Sequence, residues 1–345
     1  MPFTQWHRNA ITPAPAPPAP IERVPRNRDE RRALATIVTN ALRGQPVRSP
    51  LHELLLDEID RAFDRSLAEP EGDRTILGVS GPSGTGKTTQ VKAWARYRYR
   101  QSIGPHAGPE VPRWSPQPGV DATHVPVIWV SLQAKALPTS LYKGILASLD
   151  LGVGGNRDDL FARCVRAFHN HGVKLLVFDD ANQVHTGPNL SIAVMEALKS
   201  LSRELGNGHG SMVLVSTDRP DTGVFGDYQI KSRLWLHKFG PYTLSNAIGR
   251  ERWTQFLTRI EDRVGPYLVH DEPGFLTDAD PEFIWHRTQG YAGDTLKLVL
   301  HGVEEAIANN RAVSRRDLEQ APLSQRAHLA FEQAARQAHK SRQAS

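Results

Sequence analysis

The feature that most constrains the fold of this chain is the segment from Gly81 to Thr88, which reads GPSGTGKT. Two glycines with four residues between them, followed by lysine and a hydroxyl residue, form the pattern of a phosphate-binding loop. The apolar run TILGVS before it predicts a strand, and TTQVKAWARYRYR after it predicts a helix, which is the context such a loop requires. Backbone N–H groups at the start of that helix would face the phosphates, and glycine lets the backbone approach them closely.

The polar residues of this loop predict ATP and Mg²⁺ as its ligands. Lys87 would neutralise the β- and γ-phosphates, and Thr88 would ligate Mg²⁺ through its hydroxyl. The residues predicted to bind the nucleotide are Gly81, Pro82, Ser83, Gly84, Thr85, Gly86, Lys87, Thr88 and Thr89.

Three further apolar runs predict strands at residues 125–132, 174–180 and 212–217, and helical patterns separate them. Short strands that alternate with helices imply a parallel sheet. Helical patterns dominate after about residue 240. The predicted fold class is therefore α/β, with a three-layer P-loop core around a parallel sheet, followed by a small helical lid domain.

Composition divides the chain into four predicted segments. Residues 1–28 contain TPAPAPPAP, which favours extended backbone that cannot pack a core, so they are expected to form a disordered, basic arm. Residues 29–240 are expected to form the α/β core with its N-terminal helices. Residues 241–325 are expected to form the lid, and residues 326–345 a basic tail.

The net charge, the cysteine count and the hydrophobicity of the chain limit its partners and its cellular compartment. A net charge of +5 and a pI near 9.4 are compatible with a nucleic-acid partner without establishing one. The single cysteine, Cys164, cannot form an intramolecular disulfide, and no apolar run is long enough for a transmembrane helix. We therefore expect a cytoplasmic protein without a membrane partner.

Two adjacent acids end the predicted strand KLLVFDD. An acid at the carboxyl edge of a parallel strand faces the ligand crevice, so Asp179 is expected to join Thr88 in holding Mg²⁺. Asp180 is expected to orient or deprotonate the attacking water. The alternative interpretation is a strand end that carries two solvated acids.

Two polar residues farther along the chain are candidates for catalysis. Thr217, or Ser216 as second choice, follows the strand MVLVST and would hydrogen-bond the attacking water or the γ-phosphate. Arg233, placed beyond the last core strand, would reach the γ-phosphate of a neighbouring subunit. The alternatives are an ordinary strand-terminating turn for Thr217 and a surface salt bridge for Arg233.

The order of these parts resembles the AAA+ ATPases, and within them the TniB/TnsC group of ATP-dependent regulators of DNA transposition. The resemblance rests on GPSGTGKT, on VPVIWVSL followed by LPTSLYKGIL, on FDDANQVHTG, on KSRLWL, and on RTQGYAGDTLKLVLHGVEEAIANN with SRRDL after it. It implies ATP-bound homo-oligomers, as rings or helical filaments around duplex DNA, that pass a target-site signal from a target-selection protein to the transposase.

The resemblance also assigns roles to single residues. Lys87 and Thr88 match the Walker A pair, and Asp179 matches the Walker B aspartate. Thr217 matches the first sensor, and Arg233 matches the arginine finger. In such proteins the DNA contacts lie on the loop and helix after the second strand, here at Lys135, Thr139 and Lys143; a solvated helix face is the alternative.

Two departures from the family pattern affect the chemistry. The usual acidic pair is Asp-Glu, whereas here it is Asp179-Asp180, and the shorter second carboxylate predicts slow hydrolysis. AAA+ proteins commonly place an arginine after a Gly-Asp-like pair, whereas Gly293-Asp294 is followed by Thr-Leu-Lys, so that Lys297 is the remaining candidate for a second sensor.

Two other functions stay open on the sequence alone. One is a DNA-remodelling ATPase that resembles a replicative-helicase loader. The other is a nucleotide-gated signalling scaffold that binds no DNA.

Overall fold

The structure is a computed structural model that describes residues 1–13, 16–45, 47–104, 108–184, 188–217, 223–278 and 280–333. The chain divides into two compact units. The first unit comprises Met1–Pro13, Leu55–Ser83 and Lys87–Phe239, and the second comprises Ala14–Leu54, Gly84–Gly86 and Gly240–Ser345.

The first unit is built around a parallel β-sheet. The strands of the described residues are β1 (Ile76–Ser80), β2 (Arg113–Trp114), β3 (Ala122–Thr123), β4 (Val127–Ser131), β5 (Leu175–Asp179), β6 (Ser211–Ser216) and β7 (Leu234–Lys238). Five of them form one sheet in the order β4-β5-β6-β1-β7 with every pair parallel, while β2 and β3 form a separate antiparallel pair. Every residue of β1, β5 and β6 is buried, as expected for central parallel strands covered on both faces.

Helices flank this sheet and confirm the predicted α/β class. In chain order up to the end of the first unit, the helices of the described residues are α1 (Phe3–Ile11), α2 (Arg28–Arg43), α3 (Pro50–Ala68), α4 (Lys87–Ile103), α5 (Pro138–Ser148), α6 (Arg157–His171), α7 (Pro188–Asn207), α8 (Gly223–Gly226) and α9 (Tyr228–Lys231). Of these, α2 and the start of α3 up to Leu54 belong to the second unit. Local sequence explains their limits. In α6, for example, the Asn156 side chain accepts from the backbone N–H of Asp159, and Gly172 ends the helix in the left-handed conformation.

The second unit is helical. Its later helices are α10 (Ala247–Val264), α11 (Pro281–Thr288), α12 (Ala292–Asn309) and α13 (Arg315–Gln320), and residues 325–333 are also helical. Helix α2 belongs to this unit and packs along α12. Its core contains Tyr242 stacked on Phe256 at 4.8 Å, with Trp253 tilted against both rings.

The structure corrects the sequence analysis at the N-terminus. Residues 3–11 form a helix rather than part of a disordered arm, and Trp6 is 2% exposed, stacked on Trp129 at 5.9 Å. Phe3, Trp6 and Ala10 share one face of this helix, and all three are buried.

Two other expectations also need revision. The sheet contains a fifth parallel strand, β7, that the sequence analysis missed, and Arg233 immediately precedes this strand instead of lying beyond the last one. Residues 326–333, the first part of the segment expected to be a tail, are helical, while the rest of that segment, 334–345, lies outside the described residues. We retain the assignment of residues 241–325 as a lid domain as a proposal. Among the helices of the described ranges, none has both the length and the apolar character to cross a bilayer.

Candidate nucleotide-binding site

The phosphate-binding loop joins the carboxyl end of β1 to the first residue of α4. Gly81 N donates to the carbonyl oxygen of Ser216 at 3.3 Å, which fixes the start of the loop beside the end of β6. A Cβ atom on Gly81 would lie 1.7 Å from the carbonyl oxygen of Phe239, so only glycine fits. The loop therefore opens at the carboxyl edge of the sheet, where open α/β sheets bind their ligands.

The rest of the loop depends on glycine conformation and on a histidine. Gly84 and Gly86 have φ of +86° and +98°, a region that other residues rarely adopt. His52 Nε2 lies 3.2 Å from the carbonyl oxygen of Thr85, and its Nδ1 lies 2.9 Å from the hydroxyl of Ser49. These partners assign the proton to Nε2, which donates to Thr85. His52 thus contacts the part of the loop, Gly84–Gly86, that belongs with it to the second unit.

His52 is a site residue that the sequence analysis missed. It is 3% exposed, and burial lowers its pKa below the usual value. A Cβ atom on Gly86 would lie 2.9 Å from Nε2, so the ring and the glycine fit closely together. Because 33 residues separate His52 from Thr85, local sequence pattern does not indicate the contact.

Lys87 is held inside the loop. Its Nζ donates to the carbonyl oxygen of Pro82 at 2.8 Å, and the residue is 5% exposed. Burial lowers the pKa of Lys87 to about 8, although the charges of Asp179 and Asp180 act in the opposite direction. A bound phosphate would supply the negative charge that this buried ammonium lacks.

Thr88 and Asp179 meet directly. The Thr88 hydroxyl donates to Asp179 Oδ1 at 3.0 Å, so one hydroxyl oxygen and one carboxylate oxygen lie side by side. Burial raises the pKa of Asp179, and the Asp180 charge adds to this effect. A hard cation that takes oxygen ligands fits this pair, because it would compensate the buried carboxylate. The predicted Mg²⁺ ligands are therefore adjacent.

Asp180 and Thr217 lie on the loops that follow β5 and β6. Asp180 is exposed and has φ of 56°, a left-handed conformation that aspartate tolerates better than most residues. Thr217 is exposed, and its backbone N–H donates to Asn182 Oδ1 at 3.3 Å. Asn182, the third residue after Asp179 in the run FDDAN, was also missed by the sequence analysis, and it ties the two loops together.

Arg233 lies beside the amino end of β1, whereas the phosphate-binding loop follows its carboxyl end. Its carbonyl oxygen accepts from Ile76 N at 2.8 Å, at the start of β1, and its guanidinium pairs with Asp73 at 2.7 Å. Since β1 has five residues at about 3.3 Å each, roughly 17 Å of strand separates this position from the loop of the same chain. Arg233 therefore does not reach the phosphate site of its own chain.

The three predicted DNA-contact residues lie together after β4. Lys135 is exposed in the loop, with φ of 60°, and Thr139 and Lys143 are one turn apart on α5. The next residue, Ala136, donates its N–H to the carbonyl oxygen of Gln183 at 3.0 Å. The loop that carries Lys135 is therefore tied by its backbone to the segment after Asp180.

Near the start of α12, Gly293 N donates to the carbonyl oxygen of Gly84 at 3.2 Å, within the second unit. Lys297, the candidate second sensor, is exposed one turn farther along α12. Leu296, the residue before it, is apolar and half-buried.

The parallel five-stranded sheet and its phosphate-binding loop form the fold of the P-loop AAA+ ATPases. The chain is similar to the crystal structure of Cdc6p from Pyrobaculum aerophilum, with 20% identity, a TM-score of 0.54, and coverage of 79% of this chain and 66% of that one. It is similar to the structure of Drosophila ORC bound to DNA, with 15% identity, a TM-score of 0.54, and coverage of 91% and 70%. The Aeropyrum pernix ORC2 protein, in ADPNP-ADP complexes, gives 15% identity, a TM-score of 0.50, and coverage of 87% and 69%.

These identities establish the fold alone, and the chain spans about two thirds of the length of each of the three structures. The family is established by sequence. The family model of the bacterial TniB protein matches residues 54–243, so the chain belongs to the TniB family. No curated protein sequence shows a significant match to the chain.

Proposed function

We propose that this protein is an ATP-dependent regulator of DNA transposition that hydrolyses ATP slowly. The observation that carries the proposal is the contact between Thr88 and Asp179 beside the buried ammonium of Lys87, at the carboxyl edge of the sheet. Binding of ATP·Mg²⁺ requires a lysine for the β- and γ-phosphates and oxygen ligands for the metal ion, and this site contains both. Mg²⁺ would neutralise charge on the phosphates when bound.

In the proposed reaction, water attacks the γ-phosphorus of ATP and the bond to the β,γ-bridging oxygen breaks. ADP carries away that oxygen, inorganic phosphate is released, and the proton of the water passes to Asp180. Thr217 would hydrogen-bond the water or the γ-phosphate. Asp180 is one methylene shorter than the glutamate usual at this position, which places its carboxylate farther from the water and supports slow turnover.

The position of Arg233 supports assembly of several copies. Because it lies at the amino edge of the sheet, its guanidinium is available to the γ-phosphate bound by a neighbouring copy. We therefore propose a homo-oligomer, a ring or a helical filament, in which the ATP site is completed between chains.

Membership in the TniB family supports the role in transposition. In this proposal the oligomer forms on duplex DNA without sequence preference, and Lys135, Thr139 and Lys143 contact phosphates. It couples a target-selection protein to the transposase. A compared structure described as bound to DNA adds support for a DNA partner. The backbone tie between Ala136 and Gln183 offers a route by which nucleotide state alters the DNA-contact loop.

Negative-stain imaging with a non-hydrolysable ATP analogue, with and without duplex DNA, tests the proposal. Lys87→Ala is expected to abolish ATP-dependent assembly. Asp180→Ala is expected to keep assembly with ATP and to slow its dissolution, because general-base catalysis contributes about 10²–10⁴-fold to such reactions. Arg166→Ala, which removes a charge from an exposed position of α6, is the control. A protein that stays monomeric under every one of these conditions contradicts the proposal.

A further inference from the structure

A charged cavity lies in the first unit, away from the phosphate-binding loop. Its volume is about 350 Å³. Four basic and two acidic side chains line it: Arg157, Lys199, Arg203, Arg233, Asp73 and Glu196. Basic groups therefore outnumber acidic groups two to one.

Distant segments of the chain converge on this cavity. Lys199 and Arg203 share one face of α7 because they are four residues apart, and Glu196 lies one turn before Lys199 on that face. Arg157 is the first residue of α6. Arg233 immediately precedes β7. The fold thus brings the start of α6, one face of α7 and the start of β7 together around the cavity.

The wall formed by Arg233 and Asp73 lies at the amino edge of the sheet. Ile76 N donates to the carbonyl oxygen of Arg233, so the cavity adjoins the start of β1, while the phosphate-binding loop follows the end of β1. Five residues at about 3.3 Å each separate the two edges. A ligand of this cavity is therefore not the nucleotide bound by the same chain.

The charges of the cavity favour a polyanion. Arginine guanidinium groups bind phosphate oxygens in a bidentate manner, and a lysine adds a point charge. The Arg233–Asp73 pair is accessible, with side-chain exposures of 35% and 44%. Solvent-accessible ion pairs of this kind are weak, so a multiply charged phosphate can displace the carboxylate.

We propose that this cavity binds the terminal phosphates of the nucleotide held by a second copy of the chain, with Lys199 and Arg203 contacting phosphate beside Arg233, and Asp73 acting as the counter-charge that phosphate displaces. This inference rests on the proposed function, because it requires ATP in the neighbouring copy. It adds two cations and a displaced carboxylate to a contact for which the sequence indicated a single arginine.

The test compares the double variant K199A/R203A with Arg166→Ala, the exposed control outside the cavity. Each variant is measured for binding of a fluorescent ATP analogue by dilute protein, for ATP-dependent assembly without DNA by sedimentation, and for affinity for a fixed duplex. We expect unchanged nucleotide binding by the double variant. We expect its assembly to require about tenfold or more protein, because hydrogen bonds to charged groups are among the strongest in proteins.

Two further experiments identify the source of the phosphate. Mixing K199A/R203A, which keeps its own loop, with Lys87→Ala, which keeps the cavity, is expected to restore ATPase activity above that of either variant alone. Asp73→Asn removes the competing carboxylate with little change in shape, and we expect it to lower the protein concentration required for assembly severalfold. Asp73→Asn changes assembly in the opposite direction from the double variant, so misfolding does not account for both results.

The outcomes separate the two proposals. If wild-type protein does not bind ATP, the proposed function fails and this inference fails with it. If wild-type protein binds ATP and assembles but K199A/R203A behaves like Arg166→Ala, only the cavity inference is overturned. It is overturned as well if the double variant loses affinity for DNA while DNA-free assembly is unchanged, because the cavity then binds DNA phosphates.

Discussion

The protonation of Lys87 gives a quantitative test of the phosphate site. Burial lowers the pKa of this ammonium to about 8 in the free protein, and bound phosphate, as an adjacent negative charge, raises it again. At any pH at which Lys87 is neutral in the free protein, ATP binding therefore requires uptake of a proton. The dissociation constant for ATP is expected to be flat below pH 7 and to rise roughly tenfold for each pH unit above 8.

Equilibrium binding of a fluorescent ATP analogue between pH 6.5 and 9.5 measures this dependence. Lys87→Arg is the matched control, because arginine stays protonated throughout this range, so its affinity is expected to be lower but independent of pH. A wild-type dissociation constant that does not change between pH 7 and 9.5 refutes the reasoning. So does a rise of equal size in Lys87→Arg, because the titrating group would then be a different one.

Lys87 also predicts an effect of opposite sign on folding. Because its pKa is lower in the folded protein than the ordinary value of 10.5, the unfolded chain binds more protons between pH 8 and 10.5. The contribution of Lys87 to the free energy of unfolding therefore becomes more favourable as pH rises through this range. Relative to Lys87→Met, the nucleotide-free wild-type protein is expected to gain stability in denaturant titrations over the same pH interval in which it loses affinity for ATP.

Three other predictions address the phosphate-binding loop and the residues proposed to contact DNA. Gly81→Ala is expected to destabilise the protein by about 1–3 kcal/mol and to abolish ATP binding, since its Cβ atom would overlap the carbonyl oxygen of Phe239, whereas Gly240→Ala, which meets nothing within 4 Å, is expected to be neutral in thermal unfolding. Because burial lowers the pKa of His52, the free energy of unfolding is expected to fall as pH drops below 6.5, and a wild-type pH profile identical to that of His52→Asn would contradict this. Lys135→Ala and Lys143→Ala are each expected to weaken binding to all duplex sequences alike and to lower the slope of log affinity against log salt by about 1. Loss of affinity for only some sequences would contradict a role in contacting phosphates.

The phosphate-binding loop was predictable from sequence because all of its chemistry lies in one contiguous stretch. The position of Asp179 was predictable because it ends an apolar strand of a parallel sheet, which places it at the same carboxyl edge as the end of β1. The contacts of His52 with Thr85 and of Asn182 with Thr217 join residues that are 33 and 35 positions apart, so only the folded chain shows them.

Strand β7 was missed for a different reason. Its first four residues are only half-buried, and it lies at the edge of the sheet, so it lacks the fully apolar run that marked β1, β5 and β6. Helix α1 was missed because the neighbouring proline- and alanine-rich stretch dominated the interpretation of the N-terminus. Yet Phe3, Trp6 and Ala10 already have the spacing of a helical face.

The hydrogen bond from Ala136 N to Gln183 O joins backbone atoms only. Changes of side chain in the loop that carries Lys135 therefore leave this link intact, and proline at position 136 is the substitution that removes its donor. In evolutionary terms, a lineage is free to exchange the side chains of this loop, and with them the surface that it presents, without rebuilding the connection to the segment after Asp180. If the proposed function holds, the side chains that contact DNA can therefore vary while the backbone link to the nucleotide site is kept.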